Sequence, residues 1–118
     1  MANPIRGEVD ITVGGKTYTI KLGRNALASV EGLLGRGFPE IAQSLTSDPQ
    51  IVVMRAILWA GLQRYHPELD LMQVGDLMDE AGDDLIGEKI GEALRITFPQ
   101  ADTTARPQKP GRKAGTKT

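Results

Sequence analysis

Cysteine is absent from this 118-residue chain, and histidine occurs once. The first absence excludes disulfides, thiolate zinc sites and cysteine nucleophiles. The second excludes His-rich metal centres and leaves His66 as the one imidazole base. Ser29, Ser44 and Ser47 are available partners, but none lies in a Gly-x-Ser-x-Gly elbow. Long apolar runs are missing too. The run Ile51-Val52-Val53-Met54 stops at Arg55, far short of the roughly 18 apolar residues of a membrane span. The opening Met1-Ala2-Asn3-Pro4-Ile5-Arg6 has no apolar h-region, so no secretory signal is expected. Net charge is nearly absent, at −1, which argues against a dedicated nucleic-acid binder. These absences lead to the expectation of a cytoplasmic, non-membrane protein without cofactor or metal, and not an enzyme.

What charge there is lies unevenly. From Ala101 onward stand Arg106, Lys109, Arg112, Lys113 and Lys117 against Asp102, five cations to one anion and a net +4. Residues 1–100 hold nine cations and fourteen anions, a net −5. The basic stretch also holds Pro107, Pro110, Gly111 and Gly115 and no Leu, Ile, Val or aromatic residue. Such a composition buries too little apolar surface to offset ordering entropy. The chain therefore reads as one folded domain, residues 1–100, and a disordered tail, 101–118. The tail is either a solubilising segment or an electrostatic arm for an acidic partner or nucleic acid.

Residues 6–22 read as a β-hairpin. Val9, Ile11 and Val13 alternate with Glu8, Asp10 and Thr12, and Tyr18, Ile20 and Leu22 alternate with Thr17, Thr19 and Lys21. Gly14-Gly15 between them supplies the positive φ of a two-residue turn. Helical patterns follow. One starts with Asn25 as N-cap and runs to Leu34, with Gly35 and Gly37 as stops. A second starts at Phe38-Pro39, and Asp48-Pro49 marks the start of a third. In the third, Ile51, Met54, Leu58, Leu62 and Tyr65 form a stripe that Val53, Ile57 and Ala60 widen, as in a central helix. Asp70 caps a helix from Leu71 to Ala81, and Asp83 or Asp84 caps the last, with Ile86, Ile90, Ala93 and Leu94 on one side. A hairpin followed by four to five short helices, without βαβ alternation, is an α+β fold.

No constellation amounts to an active site. Asp76, Asp79, Glu80, Asp83 and Asp84 lack the ladder of a calcium loop and read as a solvated face with caps. His66 at a helix end reads as a partner for the helix dipole. Gly87-x-x-x-Gly91 reads as a site of close packing, with the hairpin as one possible neighbour. Trp59 lies beside the central stripe, as a rim-of-core residue or a binding anchor. Large side chains near helix edges or ends give four candidate partner contacts: Trp59, Tyr65, Leu71 and Met78.

Several blocks together resemble one family. They are Asn3-Pro4-Ile5-Arg6-Gly7-Glu8-Val9, Val13-Gly14-Gly15-Lys16-Thr17-Tyr18-Thr19, Asn25-Ala26-Leu27, Leu58-Trp59-Ala60-Gly61-Leu62, His66-Pro67 and Val74-Gly75-Asp76-Leu77-Met78-Asp79. The family is the small tail protein of gene transfer agents and related tailed phages, grouped with phage tail assembly chaperones and sometimes labelled a tail tube protein. The likeness spans residues 3–98. Ser29-Val30-Glu31-Gly32 departs from it in part, and the basic tail lies outside the pattern. The resemblance implies a non-enzymatic assembly chaperone that binds the long, helical tape measure protein before the tail tube forms. It leaves the major tail protein and a homo-oligomer open as further partners. Two alternatives stay open beside it: a structural tail subunit that builds rings or tubes along the hairpin edge, and a nucleic-acid-binding module acting through the tail.

Overall fold

The computed structural model describes residues 3–99; the expected tail, 101–118, lies outside them. A short 3-10 turn, Pro4–Arg6, leads into strand β1, Glu8–Val13, which pairs antiparallel with β2, Lys16–Lys21. Five helices follow: α1 Arg24–Leu34, α2 Phe38–Ser47, α3 Ile51–Leu62, α4 Leu71–Ala81 and α5 Asp83–Thr97. The fold is α+β, as the order of patterns predicts. No helix of the described residues is long and apolar enough to cross a membrane.

The hairpin forms because its period-two pattern and its turn agree. Val13 pairs with Lys16, and Gly14 and Gly15 between them both have positive φ. That conformation suits the right-handed twist of the strands. At Gly14 the Glu80 carboxylate lies where a Cβ would go, so a larger residue would displace that flexible side chain and would also be strained by the positive φ. Val9, Ile11, Val13 and Ile20 face inward and are buried.

The hairpin packs on α3 through β2 and on α5 and α4 through β1. Helix α3 is apolar on nearly every side. Val53, Ala56, Ile57, Leu58, Ala60, Gly61 and Leu62 are all buried, as in a helix enclosed by its neighbours. Contact with β2 is closest at Gly61. A Cβ there would stand 2.7 Å from Ile20 Cγ2 and 3.1 Å from Leu22 Cδ2. Ile20 is buried and its β-branch is stiff, so the strand cannot yield cheaply. Helix α1 packs on another side of α3, and α4 crosses it where Arg55 lays its stem beside Gly75. Helix α5 covers β1, and its Thr97 hydroxyl donates to the Leu22 carbonyl at 3.0 Å.

Helix ends correct the sequence expectations in three places. Helix α1 is capped by Gly23, not Asn25, because Gly23 has the extended backbone and its carbonyl accepts the first helical bond from Leu27. Helix α3 begins after Gln50 rather than at Asp48-Pro49, with no side-chain cap. Asp83 and Asp84 fall inside the first turn of α5, where their charges still favour the dipole, while Gly82 takes the cap. Asp70 does cap α4: its side chain accepts from the Gln73 N–H, and Gln73 accepts from Asp70 in return. Gly35, at φ 70°, ends α1 as expected.

The seat at Gly61 yields a prediction. Gly61→Ala destabilises the domain by about 1–3 kcal/mol through overpacking, although alanine is the better helix former. Urea unfolding measures it; an unchanged or raised midpoint contradicts the close contact.

Candidate functional site

An open apolar groove of about 630 Å³ runs between α2 and α5. One wall is α2, with Phe38, Ala42, Leu45 and Thr46; the other is α5, with Gly87, Ile90, Gly91, Leu94 and Arg95. Met54 from α3 and Pro49 from the preceding link complete it. The rings of Phe38 and Phe98 stack with centroids 5.7 Å apart and join the two walls. Each phenylalanine precedes a proline, so the sequence pattern presents them as punctuation around helix ends, not as a pair.

Glycines form part of the α5 wall. Gly87 and Gly91 lie one turn apart on the groove side, away from the hairpin, which corrects the packing expected of them. A Cβ at Gly87 would meet nothing within 4 Å. Helix interiors favour alanine over glycine, so internal packing does not account for Gly87. Arg95 stands one turn beyond Gly91 and is the groove's one charged lining residue among those described. Its Nη1 would lie 3.4 Å from a Cβ at Gly91, so the guanidinium folds back over the glycine track.

The four sequence candidates lie elsewhere. None of them lines the groove. Trp59 is partly buried and packs against the core. Leu71 opens α4 and is half-buried. Met78 is 7% exposed and belongs to the core, so in this conformation its side chain offers a partner almost no surface. Tyr65 is 42% exposed, but its hydroxyl is committed: it donates to the Glu8 carboxylate.

Around Tyr65 a polar clamp ties the hairpin to the segment after α3. Glu8 is only 5% exposed. Its carboxylate accepts from Tyr65 and from the Asn3 N–H at 3.0 Å. The Tyr65 hydroxyl, more than any other neighbour, holds the Glu8 pKa below its ordinary value; burial opposes this, and Asn3, Arg6 and Lys21 add to it. Next to it, His66 Nε2 accepts the Thr19 N–H at 3.0 Å, and the His66 ring meets Tyr18 edge-on. His66 thus serves the hairpin rather than the dipole of α3, because the chain turns it toward β2. A second concavity, lined by Lys21, Arg24, Asn25, Ser29 and Arg64 among others, lies at the start of α1 and is more polar. Among the described residues, no group of three or more His, Asp or Glu side chains is placed to hold a metal ion.

No protein-family model matches the chain, and no curated protein or solved structure matches it.

Two outcomes follow from this geometry. Gly87→Ala leaves the fold intact and raises stability by about 0.5–1 kcal/mol, read by thermal unfolding; a lowered midpoint contradicts the open space above Gly87. For Glu8, the folded pKa lies below the unfolded one. Its contribution is therefore present above the ordinary carboxylate range and is lost as pH falls through the folded value. Tyr65→Phe removes the main cause. The drop in urea midpoint from about pH 7 to about pH 3 is smaller in that variant than in the native chain; equal drops contradict the assignment.

Proposed function

We propose that this chain is a non-enzymatic tail assembly chaperone of the gene transfer agent and tailed-phage type. It keeps the long helical tape measure protein soluble until the tail tube forms around it. The observation that carries this reading is the open apolar groove between α2 and α5. Its walls are two helices, and a trough of that kind accommodates the apolar face of a third by the helix-in-groove mode. The short sequence blocks that resemble the family add support from residues 3–98.

A tape measure partner is long and is released on assembly. A groove of this size on so small a domain gives a modest site. Many copies along one partner then cover it without any single tight contact. The runner-up, a subunit that polymerises by strand addition, finds less support. Thr19 would present an outward N–H to a strand added along β2, and His66 already takes it.

Co-expression with overlapping segments of the tape measure protein tests the proposal, read by size-exclusion chromatography with light scattering. Segments that precipitate alone come out soluble and bound to this chain. Gly87→Trp, which fills the groove from an open position, abolishes the complex. Failure of every segment to bind contradicts the proposal, as do rings or tubes formed by the chain alone.

A further inference from the structure

We infer that the groove takes one amphipathic helix that lays a small residue across Gly87 and Gly91 and sets an acidic side chain against Arg95. The inference rests on the reading of the groove as the chaperone's helix site, and it names the chemistry of the occupant.

The first support is the shape of the α5 wall. Gly87 and Gly91 are one turn apart in a helix interior and line an open trough. Nothing in the described fold fills the place of a Cβ at Gly87. The bare backbone at Gly87 lets a second helix approach closely, provided that it also presents Gly, Ala or Ser at the crossing; at Gly91 the flexible Arg95 side chain swings aside to extend that contact. Bulky residues on both helices would hold the axes apart and leave the glycine track unfilled.

The second support is charge. The groove lining is apolar apart from Gln43, Thr46 and Arg95. Among the described residues no carboxylate lies within ion-pair distance of Arg95, and the nearby Glu92 is paired with Lys89 at 3.6 Å. Arg95 therefore faces the trough as an unmatched cation beside apolar walls. Arg95 is exposed at the edge of the trough, so a docked helix that is purely apolar would leave the guanidinium without a partner. A helix carrying Asp or Glu one turn from its small residue matches the charge, and the planar guanidinium can grip a carboxylate with two hydrogen bonds.

The third support is length. From Gly87 to Phe98 the wall covers about three turns, or about 16 Å. Three turns hold apolar anchors at i, i+3 or i+4, and i+7. The Phe38–Phe98 stack and the Leu45 and Met54 side chains offer apolar surface for such anchors.

The test uses a displayed library of helical peptides of about 18 residues, randomised along one face. It is selected on the full native chain, on Arg95→Glu and on Gly87→Trp. The native chain enriches amphipathic helices with Gly, Ala or Ser at one position and Asp or Glu one turn away. Arg95→Glu converts that acidic preference to Lys or Arg and weakens an acid-bearing helix about ten-fold. Gly87→Trp loses both classes while its circular dichroism and thermal midpoint stay native. Helices enriched without charge preference, and held equally by Arg95→Glu, overturn the acidic anchor but leave the helix groove standing. No helix enriched on the native chain over Gly87→Trp overturns the groove reading itself. Concentration-dependent dimers of the chain alone, abolished by Gly87→Trp, overturn the inference in favour of a second copy as occupant.

Discussion

A two-stranded hairpin does not hold itself together in water. Here it depends on the seat that α3 gives it at Gly61. The missing Cβ lets β2 settle against the helix, so that Ile20 and Leu22 are buried while Val9 and Ile11 turn inward beside them. That one close approach sets the rest. With the sheet against one side of α3 and with α1 and α4 on others, the helix is enclosed, which explains why it is apolar almost all round. Helix α5 then closes over β1 and is tied to the end of the hairpin through Thr97 and Leu22. The polar clamp of Glu8, Tyr65, His66 and Thr19 ties the same hairpin to the segment after α3.

The core ends where α2 and α5 diverge. Helix α2 packs on α1 and α3, and its ring at Phe38 reaches Phe98 at the end of α5. Between these contacts the walls part, and Leu45, Met54 and Leu94 are only partly covered. The same physics that builds the core leaves this face incomplete. Apolar side chains line it, helix-weakening glycines thin one wall, and a lone arginine gives it a sign. A domain that closed the face with Ala at positions 87 and 91 would be more stable and less able to admit another helix. This is the physical basis for reading the chain as a binding protein.

The hairpin was legible because three local signals agreed: strand alternation, the Gly14-Gly15 turn and the spacing between them. Asp70 was legible as a cap because an Asp directly before an apolar helical pattern is a strong N-cap signal, while its reciprocal partner Gln73 emerged only from the structure. The helix starts at Asn25 and Asp48 misled, since a good capping residue has no influence where the backbone already turns at Gly23 or Gln50. The groove was the least legible part. Phe38, Met54 and Phe98 are far apart in the chain and meet only through tertiary packing. Of its features only Gly87-x-x-x-Gly91 left a mark in the sequence, and the pattern says that something approaches closely without saying what. Periodicity along α4 sets Met78 inward with Val74 and Leu77, and it is interior, because α3, α5 and the hairpin all press on α4; only its size had offered it as a partner contact.

The central claim is that a partner helix occupies the face between α2 and α5. Methyl NMR tests it most directly. The chain, labelled at Ile, Leu, Val and Met methyls, would be titrated with a solubilised segment of the proposed tape measure partner. The account predicts shifts at Leu45, Met54, Ile90 and Leu94, with Val9 and Ile11 in the hairpin core unmoved. Shifts confined to the hairpin or to α4, with the groove methyls silent, would contradict it.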